Sequence, residues 1–401
     1  MYAIDKQKTH DLVGGSAEYE FDVGVHAATR TVHIARAMSG TIRLETWQVA
    51  NDGTFSGGPG EVTVGHGTRT RIVVFDNHRI VVLWLDASSA LRIRAYNSGG
   101  ALAGEAVTVE TTIANFDVVS VGVTTGVPQG DPGGFVYYAY RQFAFTTLSQ
   151  NGGWKLWFGS VTDNAEVYAG QPALGGPGDK VVLSCAGMNE TLNSAHPRNV
   201  LTLWRDAGQI KTHSWRVGAG GVTSLTSAAE TKPLGIGIVH GMSVAQNNDV
   251  FATVVWPGAS NATARLQLVS MSAQGVVTQY ATAEFAEIPR SFARLQWHGT
   301  DVAVGYLTAD GHLAVAAWRF AASGSGSAAR TVLASKAGTE QPTQVRIASV
   351  MPQSDSDDDP VTLVTLSRVA AGTLRLVSWR LHKTLVYQPV GSTPIGTLTK
   401  R

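Results

Sequence analysis

Short runs of alternating apolar and polar residues recur along the whole chain, separated by turn residues. "IRLETWQV" (42–49), "LAVAAWRF" (313–320) and "LRLVSWRL" (374–381) carry the same alternation and a tryptophan near the end. A period of two predicts half-buried strands, and no stretch carries the 3.6-residue period of an amphipathic helix. Aligned on that tryptophan, seven segments emerge, ending at 49, 98, 161, 217, 273, 320 and 381. The position of Trp47, Trp215, Trp318 and Trp379 is taken by Tyr96, Gly159 and Met271 in the other three. Two further β-branched or aromatic runs precede each anchor, such as "EFDVGVH" and "VHIARAM", or "VRIASV" and "VTLVTLSR". A turn and a more polar fourth run follow, as in "GEAVTVE" and "ARTVLAS".

Four strands per unit of about fifty residues, seven times over, predict an all-β fold: a seven-bladed β-propeller of four-stranded antiparallel blades. The chain resembles seven-bladed β-propeller proteins in architecture over nearly its whole length. A single blade is apolar on both faces, and stacking in a closed ring buries each face against a neighbour. A β-helix repeat would be shorter, and two sandwiches would not repeat one anchor seven times. One domain, 1–401, is expected, with blades near 16–65, 66–113, 114–176, 177–233, 234–288, 289–339 and 340–401. The tryptophans are read as filling between blades rather than as ligand platforms. The last unit has a fourth run of its own in "LVYQPVGS" (385–392). Residues 1–15 are left over and are expected along the outside of the last blade, as an extra or replacement outer strand.

Composition narrows the function classes. Apolar residues make up 44% of the 401 residues and charged residues 15%, which suits a large core and excludes general disorder. The formal charge is +1 with no basic stretch, so neither nucleic acid nor an anionic membrane is an expected partner. Cys185 is the single cysteine, which rules out an internal disulfide framework, and "VVLSCAG" reads as a buried strand around it rather than as a nucleophile site. "MYAIDKQKTHDLVGG" has no apolar signal segment, and no run reaches the length of a membrane helix. The expectation is a soluble protein, cytoplasmic or exported without a recognisable signal peptide.

Chemistry in such a fold belongs to loops and innermost strands, because blade faces are used in packing. Long connections between first and second strands fall at 124–134, 187–199 and 351–360, all on one face by connectivity. They offer Asp131, Asn189, His196 and Arg198 as ligand-binding candidates. The opposite face is expected to carry loops at 142–153 and 257–264. "SDSDDDP" brings Asp355, Asp357 and Asp359 together, a weak pattern for Ca²⁺ without the central Gly and distant Glu of an EF-hand, so a solvated acidic loop is the favoured reading. No cofactor is otherwise expected. His26, His240 and His298 fall on or beside innermost strands, with Asp22, Asp117 and Arg346 nearby; at a tunnel mouth they would serve as acid, base and anion anchor. Singly, each histidine reads as a hydrogen-bonded structural residue. Two functional readings follow. One is a binding propeller for a small molecule, glycan (lectin-like) or protein; the divergence of the blades favours one specialised site over seven equal ones. The other is a propeller enzyme, a lyase, hydrolase or cyclase, with its site at one mouth of the central tunnel.

Overall fold

The computed structural model describes residues 2–13, 20–26, 28–58, 61–75, 78–97, 104–125, 139–162, 165–177, 183–187, 198–206, 209–218, 221–224, 230–231, 238–244, 250–256, 265–271, 275–284, 291–292, 296–298, 301–320, 330–337, 342–350, 361–370 and 373–383. Within them every regular element is a strand, and the strands form seven antiparallel sheets. Each sheet follows the chain outward from an inner strand. The first runs Phe21–His26, Thr31–Met38, Thr41–Val49 and a split outer strand, Phe55–Gly57 with Val62–His66. The second runs Arg69–Val74, Ile80–Leu85, Leu91–Tyr96 and Val107–Glu110. The inner strands of the next four begin at Ile113–Thr125, Leu183–Gly187, Ile238–Val244 and the pair Ser291–Phe292 with Gln296–His298. The seventh runs Gln344–Val350, Val361–Ala370 and Thr373–Lys383.

Adjacent inner strands touch in cyclic order, and Phe21–His26 closes the ring against Gln344–Val350. The architecture is therefore an all-β propeller of antiparallel blades. An even number of strands returns the chain to the face it left, so every inner strand starts on the same face of the disc. We call this the starting face, and the other the return face. Connections between second and third strands also lie on the starting face.

The fourth strand of the last sheet comes from the other end of the chain. Tyr2–Val13 pairs antiparallel with Thr373–Lys383 from Tyr2↔Lys383 to Val13↔Thr373. Asp11 receives two bonds from Arg375, Nε at 2.6 Å and Nη2 at 2.8 Å, and His382 Nε2 lies 2.6 Å from Asp5 Oδ2. The sequence predicts residues 1–15 as an extra or replacement outer strand, and among the described residues Tyr2–Val13 takes the outer place of this sheet; residues 385–392 lie outside the described residues.

Among the described residues, five buried apolar clusters show how blades hold one another, each spanning two neighbouring sheets. Alternation along one strand serves two seams at once. Phe21 and Val23 join the cluster shared with the last blade, which includes Leu366 and Leu376. Gly24, in the opposite phase, faces the second blade so closely that a Cβ would lie 2.6 Å from Val74 Cγ2.

The third-strand aromatics are blade packing. Trp215, Trp318, Trp379 and Tyr96 are buried, and Trp47 is half-buried against His10 of the closing strand. A diagonal bond recurs from this strand to the second: Trp215 Nε1 donates to Thr202 Oγ1 at 2.8 Å and Trp379 Nε1 to Thr365 Oγ1 at 2.9 Å. In the third blade Gly159 holds the anchor position because the Phe143 ring occupies the space, 2.3 Å from where a Cβ would be. Trp157, two residues earlier, makes the bond instead, donating to Thr147 Oγ1 at 2.9 Å. The expected loop at 142–153 is corrected here. Residues 142–149 belong to the strand Ala139–Ser149, whose Phe143 and Phe145 pack toward the second blade while Ala144 and Leu148 pack toward the fourth. Burial on both faces removed the polar alternation that marks a strand in sequence. The loop at 257–264 lies outside the described residues.

Candidate functional site

Four inner strands, from the last blade and the first three, carry charges at the starting face. Glu20 immediately precedes Phe21–His26, and Asp22 is that strand's second residue. Arg69 and Arg71 stand at the same height on Arg69–Val74, Asp117 on Ile113–Thr125, and Arg346 on Gln344–Val350. Arg368 sits opposite Gln344 on the neighbouring strand, so it reaches the same end.

These groups interlock across seams. Glu20 pairs with Arg71 (Nη1 to Oε2, 2.8 Å) and Arg69 (Nε to Oε1, 3.1 Å). Arg69 also donates through Nη1 to the Ala114 carbonyl at 2.7 Å and Asn115 Oδ1 at 3.1 Å, tying the second blade to the third. Asp22 is buried, and its Oδ2 accepts the Ile72 amide at 3.1 Å. Its Oδ1 lies 3.7 Å from Arg346 Nε, an ion pair too long for a hydrogen bond. The Arg346 and Arg368 guanidiniums lie over the Phe21 ring, 5.9 and 5.7 Å from its centroid. Arg71 lies 5.8 Å from the Phe116 centroid.

The electrostatics follow from burial and proximity. Burial works against the charge on Glu20, yet Arg71, then Arg69 and Arg346, pull its pKa down to about 2. Burial likewise opposes the charge on Arg71; Glu20, Asp22 and Asp117 more than offset it, so its pKa is raised. Arg346 is lowered by burial first and by Arg71 second, against Asp22, Glu20 and Asp117. Two guanidiniums from separate blades thus stand close enough to repel.

The return face of the first seam holds imidazoles. His26 stacks on His78 with centroids 3.5 Å apart and planes at 27°. The Thr29 amide donates to His26 Nδ1 at 3.3 Å, and Thr29 Oγ1 lies 2.7 Å from the same nitrogen. His33, opposite Gly24 and buried, has Nδ1 3.1 Å from Thr46 Oγ1. Burial, with His26 and His78 adding to it, lowers the His33 pKa to about 4.

Stability therefore falls with acid in two stages. The His33 pKa is lower folded than at its ordinary 6.5, so between 6.5 and about 4 the unfolded chain binds the extra proton. His33 contributes about 3 kcal/mol above pH 6.5, lost as pH falls toward 4, at about 1.4 kcal/mol per unit. Glu20 adds a second, smaller loss as pH falls through its ordinary 4.5 toward about 2, its side chain being partly in water. Urea melts at stepped pH check this: His33→Gln removes the first stage only. Identical stability at pH 7 and pH 5 in the parent would refute it.

Of the residues singled out in sequence, Asp22, Asp117 and Arg346 meet at the starting face. His26 does not join them: it stands four residues beyond Asp22, about 13 Å along the strand, against His78. His240 and His298 lie on Ile238–Val244 and Gln296–His298, but their side chains are outside the described set. So is that of Arg198, on Arg198–Asp206, and that of Cys185, which pairs in the ladder with Thr202. Asp131, Asn189, His196, Asp355, Asp357 and Asp359 lie outside the described residues altogether. Among described residues, no three His, Cys, Asp or Glu are grouped to hold a metal ion. The sequence reading missed Glu20, Arg69, Arg71, Arg368 and His78. The signal for two of them was "RTRIVV", two arginines in phase at the head of an inner strand.

No protein-family profile matches the chain, and no curated protein matches it in sequence. Solved structures do match, at fold level. The Cps50 (Swd1) β-propeller domain of Myceliophteria thermophila aligns over 93% of this chain and 99% of its own, at 8% identity and a TM-score of 0.53. BBS1N, solved in complex with ARL6DN, aligns over 93% and 96%, at 11% identity and a TM-score of 0.50. The six-bladed fucose-recognising lectin of Aleuria aurantia covers 80% of this chain and 98% of its own, at 11% identity and a TM-score of 0.44. Among described residues no helix is long and apolar enough to cross a membrane. The fold this chain shares with Cps50 and BBS1N is that of the β-propellers.

Proposed function

We propose that this protein is a binding propeller whose ligand or partner docks at the starting-face mouth of the central channel. One observation carries the reading: charged side chains from four successive blades converge there, arginines from the second and last blades against carboxylates from the first and third. A multivalent sugar binder would instead repeat one set of residues in every blade. BBS1N, a propeller solved with a protein bound, supports a binding role for this architecture. Small molecule, glycan and protein are all retained as partner classes. Of the histidines that the enzyme reading names, His26 is held away from the carboxylates, and the side chains of His240 and His298 lie outside the described set.

The test is a screen of glycan arrays and a small-molecule collection with the parent protein and with Asp117→Asn/Arg346→Gln. Hits weakened about ten-fold or more in the double variant are expected, the usual scale for losing a desolvated charged contact. Hits that bind both proteins equally would place the site elsewhere and defeat the proposal.

A further inference from the structure

The starting-face cluster is charged unevenly. Among described residues it sets the guanidiniums of Arg69, Arg71, Arg346 and Arg368 against the carboxylates of Glu20, Asp22 and Asp117, one positive charge in excess. The excess is not spread evenly. Arg69 and Arg71 are bound to Glu20 at hydrogen-bond distance. Arg346 is not so held: among described residues its Nη1 donates only to its neighbour's carbonyl, Val345 O, at 3.1 Å, and its nearest carboxylate oxygen is 3.7 Å away. Yet its side chain is only 16% exposed, with an aromatic ring on one side and Arg71 near it. A guanidinium is a planar fork that pairs with a carboxylate through two parallel bonds. A mostly buried fork without such a partner, beside a second guanidinium, is prepared for an anion.

We propose that Arg346, with Arg71 beside it, receives a carboxylate of the ligand at this mouth. The inference rests on the binding reading above and names the chemistry of what binds. A carboxylate matches the single excess charge and the planar fork. Phosphate or sulfate, with more charge, would be repelled by the three resident carboxylates. The carboxylate comes from an acidic sugar or from an acidic amino acid; the chemistry recognised is the same.

Titration calorimetry and side-chain NMR of the full chain test this with sodium acetate, glucuronate, N-acetylaspartate, inorganic phosphate, methylammonium chloride and a neutral methyl glycoside. Acetate is expected to saturate, and whichever of glucuronate or N-acetylaspartate binds more tightly identifies the source. Arg346→Gln is expected to weaken acetate about ten-fold or more, and Arg346→Lys, which keeps the charge and loses the fork, by less. Both variants must melt like the parent; should Arg346→Gln not fold, Arg346→Lys and the NMR shifts of the parent's own arginine side chains decide. An unsaturable acetate response, acetate binding unchanged in a folded variant, or tighter binding of phosphate overturns the carboxylate assignment. Methylammonium or the glycoside binding in an Arg346-dependent way, without acetate, would sink this inference and leave the binding role standing. No Arg346-dependent binding by any probe, together with variant-independent hits in the screen, would sink both.

Discussion

Without Tyr2–Val13 the protein loses its cooperative unfolding transition and self-associates. The strand supplies the outer edge of the last blade, and Ile4 and Leu12 are buried within it. Ile4 belongs to the cluster between the sixth and last blades, and Leu12 to the one between the last and the first. One strand therefore supports both seams at the point of closure. Two buried side chains of this size contribute about 3–6 kcal/mol, against a total stability of about 5–15 kcal/mol. The bidentate Asp11–Arg375 pair and the His382–Asp5 contact are lost as well. Deletion leaves Thr373–Lys383 as a long strand with one unpaired edge, which is a template for pairing with another copy. Circular dichroism melts and light scattering on a chain lacking residues 2–13 are the measurements. A monomer that melts cooperatively within a few degrees of the full chain would show that the strand is decoration.

Trp379→Ala destabilises the protein by about 3–5 kcal/mol. The ring is fully buried in the cluster between the sixth and last blades, with Leu363, Val315 and Ile4 in the same cluster. Removing it opens a cavity in a seam that closes the ring, and it strips Thr365 Oγ1 of its indole donor. That orphaned hydroxyl adds to the cost of the void. Trp47→Ala is the internal comparison. Its ring is half-buried, so its loss costs less. Urea denaturation of both variants gives the difference, and a Trp379→Ala protein within about 1 kcal/mol of the parent would mean that the ring is not blade packing.

Much of this fold was legible residue by residue. In "LRLVSWRL", Leu374 and Leu376 join the cluster shared with the first blade and Val377, Trp379 and Leu381 the one shared with the sixth, and its tryptophan is buried as the repeat implied. The failure at 142–149 has the same origin. There the strand is buried on both faces by Phe143, Ala144 and Phe145, so its polar rhythm disappears and it reads as loop. Gly159 misled in another way: the anchor position is filled by a ring from the adjacent strand, and the tryptophan that bonds the threonine stands two residues earlier. A letter comparison along the chain sees the position and not the neighbour that fills it.

The site was less legible. Asp22, Asp117 and Arg346 were singled out because they lie on innermost strands, and they do lie together; Arg71, Glu20, Arg69 and Arg368 were not singled out. Nothing local separates an arginine that faces solvent from one that interlocks with the charges of neighbouring blades. Strand alternation is set by backbone geometry within a few residues, so sequence carries it directly. The meeting of Asp22 with Arg346 depends on ring closure, which brings the two ends of the chain to one seam through the Tyr2–Val13 ladder. Likewise, His26 shares a face with Asp22 but stands four residues further along the strand, and only the packing of the second blade puts it on His78. Strand alternation is thus a property of short-range pattern, while the charge cluster of the starting face exists only when distant strands are closed into a ring.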